Sequence, residues 1–405
     1  MKVFNYLFVL LIGLGACEHN APVAPVTRDL TGLEKQLVES DNKFGFKLFK
    51  AIVEEEGDKN VFISPLSVSM ALGMTLNGAN GETKTAMEET LEFTGLSRDE
   101  INQSYKSLIE LLTQLDLEVV FEIANSIWYR EGMQFEETFF DVNKTYFDAL
   151  VQALDFGDPA SVDIINDWVK ENTNGKIEEI IDSIDPGIVM FLINAIYFNG
   201  TWTYEFDKEL TKEDSFTLPD GTEKSCKMMV QTGKFKYLET DDFQAIDLPY
   251  GGQQFSMTIL LPNPSKNLDT LIEDLDPEIW HNLLANFSAD SVTLQLPKFK
   301  LEYEIKLNDV LSALGMQVAF APGADFTRMY RPGGLWIDYV RHKTFVEVDE
   351  EGTEAAAVTV VAIRDSAGGP EIKFMRVNRS FLFVIRENHS QTILFMGKIV
   401  EPVSG

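Results

Sequence analysis

Histidine and cysteine, versatile as base, nucleophile and metal ligand, are scarce in this chain. Its 405 residues include four histidines (His19, His281, His342 and His389) and two cysteines (Cys17 and Cys226). A hydrolase of the Ser-His-Asp kind needs one of each partner, so counting does not exclude it. The motifs that would place such groups are absent: there is no G-x-S-x-G, C-x-x-C, H-E-x-x-H or G-x-x-x-x-G-K-[ST]. The acidic runs Glu54-Glu55-Glu56 and Asp349-Glu350-Glu351 lack the alternating ligands of a calcium loop and read as solvated surface. No metal and no cofactor is expected. Cys226 lies beside Lys227, but a buried structural thiol is the preferred reading over a reactive one.

One segment stands apart. Strand-like Lys343 to Val348 runs into Asp349-Glu350-Glu351-Gly352, and then into a small, β-branched stretch from Thr353 to Ile363 whose only charge is Glu354. Alternate residues Thr353, Ala355, Ala357, Thr359, Val361 and Ile363 form one uncharged face, while Glu354 and Arg364 fall on the other. That pattern is a strand with one buriable face. The glycine before it and Gly368-Gly369-Pro370 after it are the punctuation of an exposed loop. Periodicity alone leaves both readings open.

The elements around it are mixed. Helical apolar spacing runs over Phe44 to Val53, Ser67 to Leu76 and Thr83 to Leu91. Strand composition covers Val119 to Tyr129, Val189 to Phe198, Ala245 to Leu248, Phe255 to Leu261, Ser291 to Leu296, Phe381 to Ile385 and Thr392 to Met396. Length alone suggests two or three domains. Pro/Gly punctuation nowhere separates two complete sets of elements, so a single α+β domain is expected over 41–405.

With 34 Lys and Arg against 64 Asp and Glu, the formal net charge is -30. Nucleic-acid binding is disfavoured, since neutralising phosphates needs clustered cations, and so is adsorption to an anionic membrane. A membrane link must come from lipid. Met1-Lys2, the apolar run from Val3 to Leu14 and then Gly15-Ala16-Cys17 form a segment too short to span a bilayer, which reads as a signal peptide over 1–16. Leu14-Gly15-Ala16-Cys17 resembles a bacterial lipoprotein signal, in which the cysteine is lipidated; the other reading is an incidental cysteine near an ordinary cleavage site. A polar tether over 17–40, with Pro22 and Pro25, would follow. With Cys17 lipidated, Cys226 has no partner and no disulfide is expected.

Gly352-Thr353-Glu354-Ala355-Ala356-Ala357 after an acidic strand end resembles the hinge of the serpin reactive-centre loop. The likeness covers nearly all of the mature chain. Asn60-Val61-Phe62-Ile63-Ser64-Pro65-Leu66-Ser67 resembles the segment entering the second serpin helix. Asn194-Ala195-Ile196-Tyr197-Phe198-Asn199-Gly200-Thr201-Trp202 resembles the third strand of the large sheet. Ala324-Asp325-Phe326, His342-Lys343, Asn378-Arg379-Ser380-Phe381 and Leu394-Phe395-Met396-Gly397-Lys398 recur in family order, with departures at Arg328, usually a small residue, and Ser380, where proline is common.

The resemblance implies one metastable domain of about nine helices around three β-sheets, with an exposed loop over 350–370 that baits proteases. A serine endopeptidase, or as a further class a cysteine endopeptidase, would cleave the loop and be trapped as a covalent 1:1 complex when the cut loop inserts into the large sheet. Strand addition and strain release by serpin loops are general knowledge of the family. Carried onto this chain, the hinge is Glu350, Gly352, Thr353, Glu354, Ala355, Ala356 and Ala357. Ser64, Ser67, Asn194 and His342 form the cluster beneath the opening sheet, with His342 bonded to Asn194. Trp202, Lys298 and Glu350 mark where the loop first enters. Counting from Glu350 puts the scissile bond at Ser366-Ala367, suited to elastase-like or subtilisin-like proteases; Arg364-Asp365 is the trypsin-like alternative, and Ile363 a further one. The expected molecule is a monomeric inhibitor, not an enzyme, that binds target proteases and no nucleic acid. It would reach the membrane through lipid on Cys17. Its location would be the cell envelope, periplasmic or surface-exposed, or the extracellular space. A non-inhibitory surface binding protein is the alternative.

Overall fold

The computed structural model describes residues 28–353 and 372–403. The signal segment, Cys17, Glu354 to Ala357 and both proposed scissile bonds lie outside them.

Thr31 opens helix α1 (Gly32–Glu56) with a reciprocal cap: its hydroxyl accepts from the Glu34 amide while the Glu34 carboxylate accepts from the Thr31 amide. The folded domain thus begins before residue 41, correcting the expected tether of 17–40. The polar run misleads because Leu37 and Val38 give it one buried face. Strand β1 (Val61–Ile63) leads into α2 (Pro65–Leu76), where Ser64 is the cap and Pro65 takes the first helical position, whose N–H has no intrahelical partner anyway. Helices α3 (Gly81–Thr90) and α4 (Arg98–Leu112) follow. Then come β2 (Val119–Arg130), α5 (Glu137–Phe147), β3 (Leu150–Leu154), α6 (Ala160–Asn172) and β4 (Met190–Thr201).

The second half turns to strand. It runs β5 (Lys212–Thr217), β6 (Glu223–Glu239), β7 (Phe243–Tyr250) and β8 (Phe255–Pro262), then helices α7 (Leu268–Asp274) and α8 (Pro277–Ala285). After β9 (Ser288–Pro297), β10 (Phe299–Lys306) and the short α9 (Asn308–Leu311) come β11 (Arg341–Val348) and the two-residue β12 (Gly352–Thr353). Strands β13 (Lys373–Arg376), β14 (Phe381–Glu387) and β15 (Ile393–Ile399) close the chain. Every residue of β8, β14 and β15 is buried, which is why these stretches read as continuous apolar runs.

Among the described residues the strands form three ladders. A nine-stranded one runs β1-β15-β14-β8-β7-β6-β9-β13, with β5 on β6. The seventeen-residue β6 joins what would otherwise be two smaller sheets, pairing with β5, β7 and β9 along its length. The remaining strands make a two-stranded ladder, β10-β11, and a four-stranded one, β12-β4-β2-β3. The division falls between β4 and β11. Cys226 is buried in β6; burial, with Asp214 and Glu213 nearby, pushes its thiol up to about 11, which keeps it unreactive. No helix among the described residues is long and apolar enough to cross a membrane.

Helix α1 also buries a carboxylate without a cation. Asp41 accepts hydrogen bonds from Ser69 of α2 at 2.5 Å and Tyr105 of α4 at 2.8 Å, and its second oxygen has no partner among the described residues. Burial pushes its pKa up from 3.8 to about 7, against the lowering effect of the two hydroxyls. The sign follows from linkage: a raised folded pKa gives stability that is complete below the unfolded pKa and is lost as pH rises through about 7. The Asp41→Asn variant is expected to lack that decline, so wild type should weaken relative to it by at most about 4 kcal/mol between about pH 4 and pH 8. Thermal unfolding of both proteins across that range checks this, and parallel profiles would contradict it.

Candidate functional site: a split sheet and its hinge

Strands β4 and β11 flank a cavity of about 390 Å³ floored by α2. Asn194, Ile196 and Phe198 line one wall, His342 and Thr344 the other, and Thr353 sits at the top. Alternation along β11 buries His342, Thr344, Val346 and Val348 and leaves Arg341, Lys343, Phe345 and Glu347 partly exposed on the opposite face.

The floor cluster is built from the cap of α2. Ser64 Oγ accepts from the Ser67 amide and donates to the Leu394 carbonyl at 2.7 Å, while the Ser64 amide donates to His342 Nε2 at 2.9 Å. The expected bond from His342 to Asn194 is not formed: the cavity lies between their strands. Asn194 instead donates to Asn125 Oδ1 of β2 at 2.8 Å, and Ser67 Oγ lies 3.4 Å from the Asn194 carbonyl. Asn194 Oδ1 is buried and, among the described residues, accepts no hydrogen bond. Burial pushes the His342 pKa down to about 4, so the ring is neutral and its Nε2 is an acceptor. His342 therefore faces a backbone amide rather than a hydroxyl. His389 Nε2 lies 2.7 Å from the Arg28 carbonyl, and His281 Nδ1 lies 3.3 Å from Gln391 Oε1.

At the top, Asp349 to Gly352 form a tight turn. The Asp349 amide donates to the Gly352 carbonyl at 3.0 Å, and Asp349 Oδ1 accepts from the Glu351 amide. Gly352 has φ +147°, and a Cβ there would lie 2.3 Å from the Gly200 carbonyl oxygen, so β12 can approach β4 only with glycine at this position. Gly352 then pairs with Thr201 and Thr353 with Gly200, antiparallel.

Trp202 ties the turn to β4: its amide donates to the Glu351 carbonyl at 3.0 Å and its indole N–H to the Asp349 carbonyl at 2.9 Å. Glu350 is buried, ion-paired with Lys298 and bonded by Thr211 Oγ1 at 2.7 Å. Burial opposes its ionisation, yet Lys298, Thr211 and its own backbone outweigh that and hold the carboxyl below its ordinary range. Lys208 pairs with Glu351 outside. Tyr250 of β7 completes the corner: its ring stacks on Trp202 at 4.4 Å, and its buried hydroxyl shares a 3.0 Å hydrogen bond with Thr353.

The structure thus brings Trp202, Lys298 and Glu350 together, and Ser64, Ser67, Asn194 and His342 around one cavity. Sequence reading missed Asn125, Thr211, Lys208 and Tyr250. Of these, Asn125 had a local signal, a buried amide in the middle of an apolar strand. The others arrive through pairings distant in sequence.

The pair of Lys298 and Glu350 is partly desolvated, a correction to the reading of the acidic run around Glu350 as solvated surface, so its two halves are unequal. Lys298→Ala leaves a buried carboxylate held by Thr211 and its own backbone amide but by no cation, and is expected to cost about 2–3 kcal/mol. Glu350→Gln leaves a lysine that can turn to solvent, and is expected to cost about 1 kcal/mol. Urea unfolding of the two variants tests the order, and equal losses would contradict it.

Comparison with known proteins agrees with this geometry. Residues 39–402 match the family model described as Serpin (serine protease inhibitor). The chain is 34% identical to an uncharacterised serpin-like protein of Thermococcus kodakarensis, over 92% of this chain and 88% of the relative. It is also 34% identical to the leukocyte elastase inhibitor of Sus scrofa, over 91% of this chain and 100% of the relative. Among solved structures, the native thermophilic serpin tengpin superposes with a TM-score of 0.84 at 33% identity, covering 92% of this chain and 95% of tengpin. Human thyroxine-binding globulin in complex with its hormone superposes with a TM-score of 0.83 at 27% identity, covering 92% of this chain and all of the globulin chain. Sheet, hinge and relatives together lead to one conclusion: this chain belongs to the serpin family.

Proposed function

We propose that the chain is a suicide-substrate inhibitor of serine endopeptidases, with cysteine endopeptidases as a further class. The observation that carries this reading is the start of a new strand: Gly352 and Thr353 already pair with β4 at the head of a cavity between two strands that do not pair with each other. Thr353 lies opposite Gly200, and each further loop residue would step one place back along β4. Thr359 would thus meet Asn194, and Ile363 would meet Met190, where β4 begins. From the other side, the bond between Asp349 and Gly352 would put Thr353 opposite Val348 and Thr359 opposite His342. Both registers would set Thr359 beside Asn194, whose Oδ1 has no donor among the described residues. A satisfied buried acceptor is worth about 1–3 kcal/mol.

Thr353 already faces inward, so Ala355, Ala357, Thr359, Val361 and Ile363 would follow onto the same face without bringing a charge inside. In the proposed reaction, the protease nucleophile adds to the carbonyl carbon of Ser366, the bond to the Ala367 nitrogen breaks, and the new amine leaves with its proton. Insertion of residues 354–363, beyond the two already paired, at about 3.3 Å each would carry the acyl-enzyme roughly 33 Å before water hydrolyses the ester. The Ser366-Ala367 bond suits elastase-like or subtilisin-like enzymes, and Arg364-Asp365 suits trypsin-like ones. The leukocyte elastase inhibitor among the relatives supports a small-residue specificity. Thyroxine-binding globulin shares the fold, so the hinge, not the fold, supports inhibition over the alternative of a non-inhibitory binding protein. A monomer lipidated on Cys17 would act at the cell envelope, periplasmic or surface-exposed, or in the extracellular space.

Mixed with elastase, subtilisin and trypsin, the protein is expected to form a complex with at least one that survives denaturing electrophoresis, and mass spectrometry of the released fragment gives the bond. The Thr353→Arg variant should be cleaved without trapping, because a cation would have to enter a buried position beside Tyr250. Clean cleavage of wild type by all three, without complex, would favour the binding-protein alternative; trapping by Thr353→Arg would overturn the insertion route. Cys17→Ser is expected to move the protein from the membrane to the soluble fraction of cells expressing the full chain, and unchanged fractionation would refute the anchor.

A further inference from the structure

Tyr250 occupies a place that the hinge alone does not require. Its ring fills the space beside Gly200, where a Cβ would lie 2.9 Å from Tyr250 Cδ1, and it packs edge-on against Phe198 and face-on against Trp202. The ring is completely buried, and its hydroxyl emerges at one atom of the loop, Thr353 Oγ1. We propose that Tyr250 is a positioning residue for loop insertion: by holding the Thr353 hydroxyl it fixes the first two loop residues in sheet register before any protease cuts the chain. This rests on the inhibitor reading above.

Thr353 would stay opposite Gly200 when the remaining residues add below it, so the hydrogen bond formed before cleavage need not break during insertion. It raises the population from which insertion starts, and a reaction that starts only from that population is slowed in proportion when it falls. The competing step is hydrolysis of the acyl-enzyme, which takes place far along the loop and does not sense Tyr250. Losing the bond therefore shifts the branch between trapping and release and leaves the initial encounter untouched. A merely structural tyrosine would lower stability without shifting that branch.

The test compares wild type with Tyr250→Phe, Thr353→Val, the double variant and Thr353→Ser, each as the folded mature protein, against whichever of subtilisin, elastase or trypsin wild type traps. Two quantities are read: inhibitor consumed per protease trapped, and the second-order rate of protease loss corrected for that ratio. Tyr250→Phe and Thr353→Val are each expected to raise consumption by about twofold to tenfold at an unchanged corrected rate. The double variant should do no more than either single one, and Thr353→Ser should behave as wild type. Unchanged consumption in Tyr250→Phe, or multiplying effects in the double variant, overturns the assignment. Should Tyr250→Phe fail to fold, Thr353→Val against Thr353→Ser tests the same bond from the loop side. Wild type that traps none of the three proteases overturns the inhibitor reading and this inference with it, whereas trapping by wild type with no change in the variants overturns this inference alone.

Discussion

Two strands, β4 and β11, flank one cavity and form no ladder with each other among the described residues. Strand edges are strong templates for a further strand, because their N–H and C=O groups point outward in register. Here the template lies inside the fold, beside the turn that continues directly from β11, one of its walls. Asn194 Oδ1, buried with no donor among the described residues, lies at the same gap. Every feature of the site is arranged around that gap, from the serine cap of α2 below to the glycine turn above.

The turn decides how the gap can be filled. Gly352 lets β12 touch β4, Glu350 is clamped by Lys298 and Thr211, and Trp202 holds both carbonyls that flank the bend. These contacts fix position and register at one end and leave the rest of the cavity to be filled in order. A strand added from a fixed end grows one residue at a time, which suits the proposed insertion of a cut loop. The carboxyl of Asp41, bonded by Ser69 within α2, and the imidazole of His342, bonded by the Ser64 amide at its cap, have opposite pH signatures. The first contributes stability that is lost as pH rises, and the second, whose folded pKa is depressed, contributes stability that is lost as pH falls below its ordinary 6.5 toward about 4.

Much of this was legible in the residues themselves, for reasons that differ between elements. The apolar runs of β8, β14 and β15 and the helical spacing of α2 follow from burial alone, and local chemistry named Gly352 as a hinge. Ser64, Ser67, Asn194 and His342 were legible only through resemblance, and even then their wiring was not: His342 bonds the Ser64 amide, and Asn194 bonds Asn125. The start of α1 was misread because polar residues on its wet face outnumber the Leu37 and Val38 that anchor it. Tyr250 gave no sign at all. It is an ordinary aromatic at the end of β7, and only the pairing of distant strands sets its hydroxyl against Thr353.

The central claim is that the cavity between β4 and β11 is the place of a missing strand supplied by the chain's own loop. A crystal structure of the protein after cleavage within the loop tests it most directly. The account predicts residues 354–363 paired with β4 and β11, with Thr359 between Asn194 and His342 and its hydroxyl on Asn194 Oδ1. A cleaved loop lying outside the sheet, with β4 and β11 still flanking an unfilled cavity, would contradict it.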